Sequence, residues 1–169
     1  PHSIYGPRQK YDDPYRNVAS IMANLMLQGR APIIYGDGEQ RRCFSYITDC
    51  VGVLAAMATE SSVVGEIINI GPDEEFISVN ELAGKLANII GCNLEPIYMP
   101  DRPREVKLAT CSANKLRNLL GYNTQVFIDE GLEKLVDWIR VTGPKPFSYH
   151  FNVEINNHLL PRTWRDRLI

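Results

Sequence analysis

Short strand-like runs alternate with helical ones along this chain, separated by glycine and proline, and that alternation points to helices packed against small sheets. Pro32-Ile33-Ile34-Tyr35 reads as a strand ended by Gly36-Asp37-Gly38. Cys43-Phe44-Ser45-Tyr46-Ile47 alternates like a second, so the turn between the two carries Arg41 and Arg42. Glu66-Ile67-Ile68-Asn69-Ile70 reads as a buried strand closed by Gly71-Pro72, and Glu95 to Tyr98 as another.

Helices fall among these runs. Asp13 is placed to cap the first, with Pro14 at its first position, Val18, Ile21, Met22, Leu25 and Met26 at helical spacing, and Gly29 as its stop. Thr48 and Asp49 start the next, whose apolar members are Val51, Leu54, Ala55 and Ala58. Ser78 with Glu81 forms a capping box ahead of Leu82, Leu86, Ala87 and Ile90, which Gly91 terminates. A short helix over Ser112 to Leu120 ends at Gly121, and a longer one over Ile128 to Val141 ends at Gly143. Beyond Pro144 the patterning weakens into a tail whose Leu160, Trp164 and Leu168 need a surface to cover them.

The 169 residues suffice for one domain with a real core. Eighteen Lys and Arg against twenty Asp and Glu leave a net charge of −2, too little field of the right sign for general attraction to nucleic acid or anionic lipid. An anionic ligand must therefore be caught by a few placed cations. No apolar run approaches the ~20 residues of a membrane span, and Pro1-His2-Ser3-Ile4-Tyr5 lacks a leader pattern, so a cytoplasmic location is expected. Cys43, Cys50, Cys92 and Cys111 form no CxxC pair and read as small core thiols, while His2, His150 and His158 lack metal-ligand spacing. No nucleophilic constellation stands out, and the Gly36-Asp37-Gly38 turn is no dinucleotide loop because neither a third glycine nor a helix follows.

Two arginines stand out in this acidic background. Arg42 precedes a strand and Arg102 sits in the proline-bounded loop Pro100 to Arg104, so each guanidinium rides on a short, stiff connection suited to bidentate grip on a diphosphate. On composition alone the plainer reading ranks first: both are solvated or paired with Asp37, Glu39, Asp101 or Glu105.

An ordered set of segments reverses that ranking. Tyr5-Gly6-Pro7-Arg8-Gln9, then Gly36 to Asp49, Asn69-Ile70-Gly71, Arg102-Pro103-Arg104-Glu105-Val106, Leu119-Leu120-Gly121-Tyr122 and Glu130-Gly131-Leu132 resemble the C-terminal half of nucleotide-sugar epimerases. These belong to the extended short-chain dehydrogenase/reductase family, typified by UDP-glucose 4-epimerase, and the likeness covers about residues 1 to 142. It implies an α/β fold: a small mixed α+β substrate-binding region, residues 1–143, with terminal strands of a Rossmann-type sheet, and a tail over 144–169. The first residue is not Met, and the resemblance places the glycine-rich phosphate loop, the catalytic Ser or Thr and the Tyr-x-x-x-Lys pair upstream of Pro1. The chain is accordingly expected to hold no catalytic residue and to be inactive alone. Its partner is a Rossmann half, in cis or in trans, that binds most of the NAD cofactor.

By the same resemblance Arg42 and Arg102 take the two diphosphate positions, Asn17 meets the substrate, and main-chain groups of Ile33 and Tyr35 meet the uracil of a UDP-sugar. Pro1, His2 and Ser3 lie beside nicotinamide and sugar. Ser3 stands where Asn is usual, Cys43 replaces the common Asp, and Arg104-Glu105 replaces Gly-Asp. Ala109, seventh after the second arginine, occupies a hexose-pocket position where a bulky side chain excludes an N-acetyl group, so both sugar classes are expected to enter; the alternative is that it packs on the following helix. Epimerization by transient oxidation is the leading expectation. A dehydratase or decarboxylase of the family, or a non-catalytic binding subunit, is the alternative. The apolar Glu66 to Ile70 edge, left without its sheet, favours homo-oligomers.

Overall fold

In chain order the elements are β1 (Ile4–Tyr5), α1 (Val18–Leu27), β2 (Ile33–Tyr35), β3 (Arg41–Cys43), β4 (Ser45–Tyr46), α2 (Ile47–Met57), β5 (Phe76–Ser78), α3 (Val79–Ile90), β6 (Ile97–Met99), β7 (Leu108–Ala109), α4 (Asn114–Leu120), α5 (Ile128–Thr142) and the single turn α6 (Arg162–Arg165). This computed structural model describes residues 1–150, 152 and 158–169.

The helices obey their local signals. Ser78 Oγ accepts from Glu81 N at 3.0 Å while the Glu81 carboxylate accepts from Ser78 N at 2.6 Å, so α3 begins at the capping box, and Gly91 ends it at φ +76°. Leu82 and Leu86 of α3 face Leu132, Leu135 and Ile139 of α5 in a core that also takes Met22 and Met26 of α1. Each of those leucines is fully buried, a contribution of about 1.5–3 kcal/mol apiece. A second cluster joins Cys50 and Val53 of α2 to Ile70, Leu116 and Tyr122. The four cysteines are free: Cys50 is buried in this second cluster, Cys43 is buried with its thiol 3.3 Å from Thr110 Oγ1, and Cys92 and Cys111 are half-buried.

Three corrections follow. Asp13 does not cap α1: its carboxylate accepts from Tyr15 N at 2.9 Å and from Arg16 at 3.0 Å, closing a turn of its own, and Asn17 Oδ1 caps the helix through Ala19 N at 2.8 Å. The run from Cys43 to Ile47 is not one strand. It changes sheet at buried Phe44, so Arg41 and Arg42 belong to β3, not to a turn, and β4 pairs parallel with β1. The expected strand over Glu66 to Ile70 joins no sheet among the described residues. His2 N donates to Ile70 O at 3.3 Å, while Ile67 is 87% exposed, and no described neighbour completes a ladder along the segment.

The sheets are small. β2 pairs parallel with β6 alone, which leaves its other edge open among the described residues. β3 is the middle strand of the third sheet, antiparallel to β5 and parallel to β7, with Arg42 opposite Ile77 on one side and Ala109 on the other. These two sheets set the geometry below. No helix among the described residues is long and apolar enough to cross a membrane.

Candidate functional site

Arg42 on β3 and Arg102 in the loop after β6 line one cavity of about 250 Å³, and Ser3, Asn17, Ile33 and Tyr35 line it with them. Six residues scattered along the chain are thus brought together. The middle position of β3 fixes the backbone of Arg42 on both sides, and its Nη1 donates to the carbonyls of Arg41 at 2.7 Å and Lys107 at 3.3 Å.

Glu105 joins the two arginines. Arg42 Nη2 donates to Oε1 at 2.9 Å, and Arg102 Nε lies 3.6 Å from Oε2. Two guanidiniums around one carboxylate leave a positive charge in excess, held in a half-buried cleft where it attracts anions more strongly than in bulk water. Arg102 also lies over the rings of Tyr35 and Trp164, 5.4 Å from each centroid.

The remaining expected residues divide. Both ends of the Asn17 amide serve the fold, Oδ1 as the α1 cap and Nδ2 as donor to Ile4 O at 3.1 Å. The Tyr35 carbonyl accepts from Gln40 Nε2 at 3.1 Å. Ser3 adopts φ +42°, a left-handed conformation that Asn tolerates better than Ser. Ala109 sits opposite Arg42 in register but does not line the cavity.

Pro1 and His2 also lie outside it. The His2 ring nitrogens are taken up by Pro72 O and Cys111 Sγ, both at 3.1 Å, and burial lowers the histidine pKa so that the neutral ring is favoured. Tyr5 offers no base: its hydroxyl donates to Ile128 O at 3.4 Å, and burial pushes the phenol far above its ordinary range.

Sequence reasoning missed Gln40, Val18, Phe44 and Val79 as cavity residues, and treated Glu105 only as an ion-pair partner. Its spacing of three from Arg102 within one loop was the available signal.

Residues 1–71 match the profile of the NAD dependent epimerase/dehydratase family. The chain is 33% identical over 144 residues to the UDP-N-acetyl-alpha-D-glucosaminuronate decarboxylase of Bacillus cytotoxicus, covering 82% of this chain and 44% of that protein. Its fold is similar to that of the UDP-glucose 4-epimerase of Thermotoga maritima solved with UDP-glucose, at TM-score 0.75 and 34% identity over 83% of this chain and 44% of the other. It is also similar to the UDP-glucuronic acid 4-epimerase of Bacillus cereus solved with UDP-glucuronic acid and NAD, at TM-score 0.74 and 33% identity over the same shares. The chain belongs to the NAD dependent epimerase/dehydratase family, and its mixed α/β fold corresponds to the C-terminal part of that family's fold. It spans less than half the length of these relatives.

NAD is the family's cofactor. The described residues do not form a complete dinucleotide site: no glycine-rich phosphate loop occurs in the given sequence, and the His2 ring nitrogens are engaged by Pro72 and Cys111. No chemical step of this chain is therefore routed through the dinucleotide.

Proposed function

We propose that this chain is the substrate-gripping part of an NAD-dependent nucleotide-sugar epimerase, in which Arg42 and Arg102 hold the diphosphate of a UDP-sugar. The observation that carries the reading is their convergence: two guanidiniums from different elements share one cavity and reach one carboxylate. Glu105 occupies the place of an anion, and a diphosphate, with more charge and more acceptor oxygens, displaces it. The relatives solved with UDP-glucose and with UDP-glucuronic acid support the same ligand class.

The cavity, at about 250 Å³, is smaller than the ~300–1,000 Å³ of a complete small-molecule site, so it takes part of the ligand. Beyond the Tyr35 carbonyl that Gln40 already occupies, the edge of β2 left unpaired by strands at Ile33 and Tyr35 suits a flat base whose rim hydrogen-bonds to backbone. Ser3 and Asn17 lie toward the sugar, with Ala109 at the edge of the hexose site and Pro1 and His2 toward nicotinamide. In this reading residues 1–143 form the grip and 144–169 a tail. Val51, Leu54, Val64 and Ile67 are exposed, Ile67 at 87%, and form the apolar surface that meets a Rossmann half in cis or in trans. That half supplies the chemistry, and this chain alone is inactive. Decarboxylation of a UDP-sugar acid is the second reading, favoured by the identity with the Bacillus cytotoxicus decarboxylase.

Calorimetry with UDP, UDP-glucose, UDP-N-acetylglucosamine and NAD tests the grip apart from the chemistry. UDP and both UDP-sugars are expected to bind and NAD to bind weakly or not at all. Arg42→Ala is expected to weaken UDP by about ten- to a hundredfold, as for loss of a charge-assisted, bidentate contact. No heat with UDP, or equal affinity in Arg42→Ala, overturns the reading.

A further inference from the structure

We propose that Trp164, carried by the C-terminal segment, is a positioning residue that orients Arg102 for the phosphate of the ligand; this rests on the reading of Arg102 as a diphosphate ligand. Residues 161–169 fold back beside the site, against Tyr35 and Pro14. The Tyr35 hydroxyl donates to Thr163 Oγ1 at 3.0 Å and accepts from Thr163 N at 2.9 Å, and Trp164 Nε1 donates to Pro14 O at 2.9 Å. Tyr149 OH lies 3.1 Å from the backbone oxygens of both Thr163 and Ile169, its one hydrogen shared between them, and Arg30 donates to Leu168 O at 3.2 Å. The indole is therefore fixed by its own hydrogen bond and by those of its neighbours.

What it does follows from the company Arg102 keeps. Arg42 holds Glu105 at 2.9 Å with two further carbonyl contacts, whereas Arg102 stands 3.6 Å from the same carboxylate, too long for a directed hydrogen bond. Its guanidinium lies instead over the faces of Tyr35 and Trp164, at 5.4 Å from each ring. Contact with the ring faces calls on no carboxylate or carbonyl acceptor, so the guanidinium stays available to a phosphate. Trp164 does not line the 250 Å³ cavity; it walls a neighbouring pocket of about 150 Å³ that shares Val18, Ile33, Tyr35 and Arg102 with the first. Its effect on a nucleotide passes through a residue the two pockets share, and of these Arg102 carries the charge and lies over the Trp164 ring.

A double-mutant cycle read by calorimetry with UDP on the 169-residue chain tests this. Trp164→Ala is expected to weaken UDP about tenfold, and Trp164→Phe, which keeps an aromatic face, to retain most of the affinity. In an Arg102→Ala background Trp164→Ala is expected to have no further effect. Circular dichroism confirms folding of each variant; Trp164→Leu, apolar but without a π face, takes the place of Trp164→Ala if that variant does not fold, with the same expectation. Parental affinity in Trp164→Ala, or an equal loss in both backgrounds, overturns the positioning role while leaving the grip intact. A parent chain that does not bind UDP overturns the grip and this inference with it.

Discussion

Arg42 and Arg102 meet at Glu105, one oxygen of its carboxylate 2.9 Å from the first guanidinium and the other 3.6 Å from the second. The ligand-free site thus carries its own anion, and any diphosphate competes with it. Glu105→Gln keeps the length and an acceptor oxygen while removing the charge. It is expected to tighten UDP binding several-fold, measured by calorimetry at low and at physiological salt; weaker binding would show that Glu105 organises the arginines more than it competes for them.

Ala109 stands opposite Arg42 in the register of β3 and β7, outside the cavity that the arginines share. Its proposed place at the hexose site predicts that Ala109→Tyr shifts the ratio of affinities for UDP-N-acetylglucosamine and UDP-glucose toward the plain hexose, about tenfold or more. An unchanged ratio assigns Ala109 to packing alone.

Four non-glycine residues among those described adopt left-handed backbone, two of them beside the site: Ser3 at φ +42° and Arg104 at φ +60°. Arg104 is exposed, so nothing in the core opposes its replacement. Arg104→Gly and Ser3→Asn are each expected to stabilise the fold, by about 0.5–1 kcal/mol for the glycine and less for the asparagine, as read from denaturant midpoints. A lower midpoint for Arg104→Gly would mean that the Arg104 side chain makes a contact that matters.

Asp73 ties the loop before β5 to α4, accepting from Ala113 N at 2.8 Å and from the Arg117 guanidinium. The Arg117 contact holds its carboxyl below the usual carboxylate range, against the opposing effect of burial. Because the folded pKa is the lower one, this stabilisation is complete above the unfolded pKa of about 3.9 and is lost as pH falls through the folded value. Arg117 also pairs with Glu74, whose carboxyl is lowered too, so Arg117→Ala is expected to lower the Tm by a constant amount from about pH 7 to pH 5, with the gap closing as pH falls through the folded values of the two carboxyls. A gap that persists at the acid end would contradict the assignment.

What could be read from the sequence was local. Ser78 with Glu81, and glycine at 91, 121 and 143, define helix ends through the bonds of one turn, and those ends stand where they were expected. β1, β5 and β7 are only two or three residues long, too short to show a period of two, and escaped notice. Glu66 to Ile70 has the composition of a strand, but a strand exists only where a neighbour supplies the ladder. Within the site, Arg42 and Arg102 were legible through the ordered resemblance and not through charge, since nothing local announces convergence across so long a separation. The contact of Trp164 with Arg102 was hidden for the same reason: the tail shows no pattern, and its partners Pro14, Tyr35 and Arg102 are remote in sequence.

The central claim is most directly tested by a crystal structure of this chain with UDP. The account predicts the pyrophosphate oxygens within hydrogen-bond distance of both Arg42 and Arg102, with the Glu105 carboxylate turned away from them. UDP bound elsewhere, with the Arg42–Glu105 pair still closed, would contradict it.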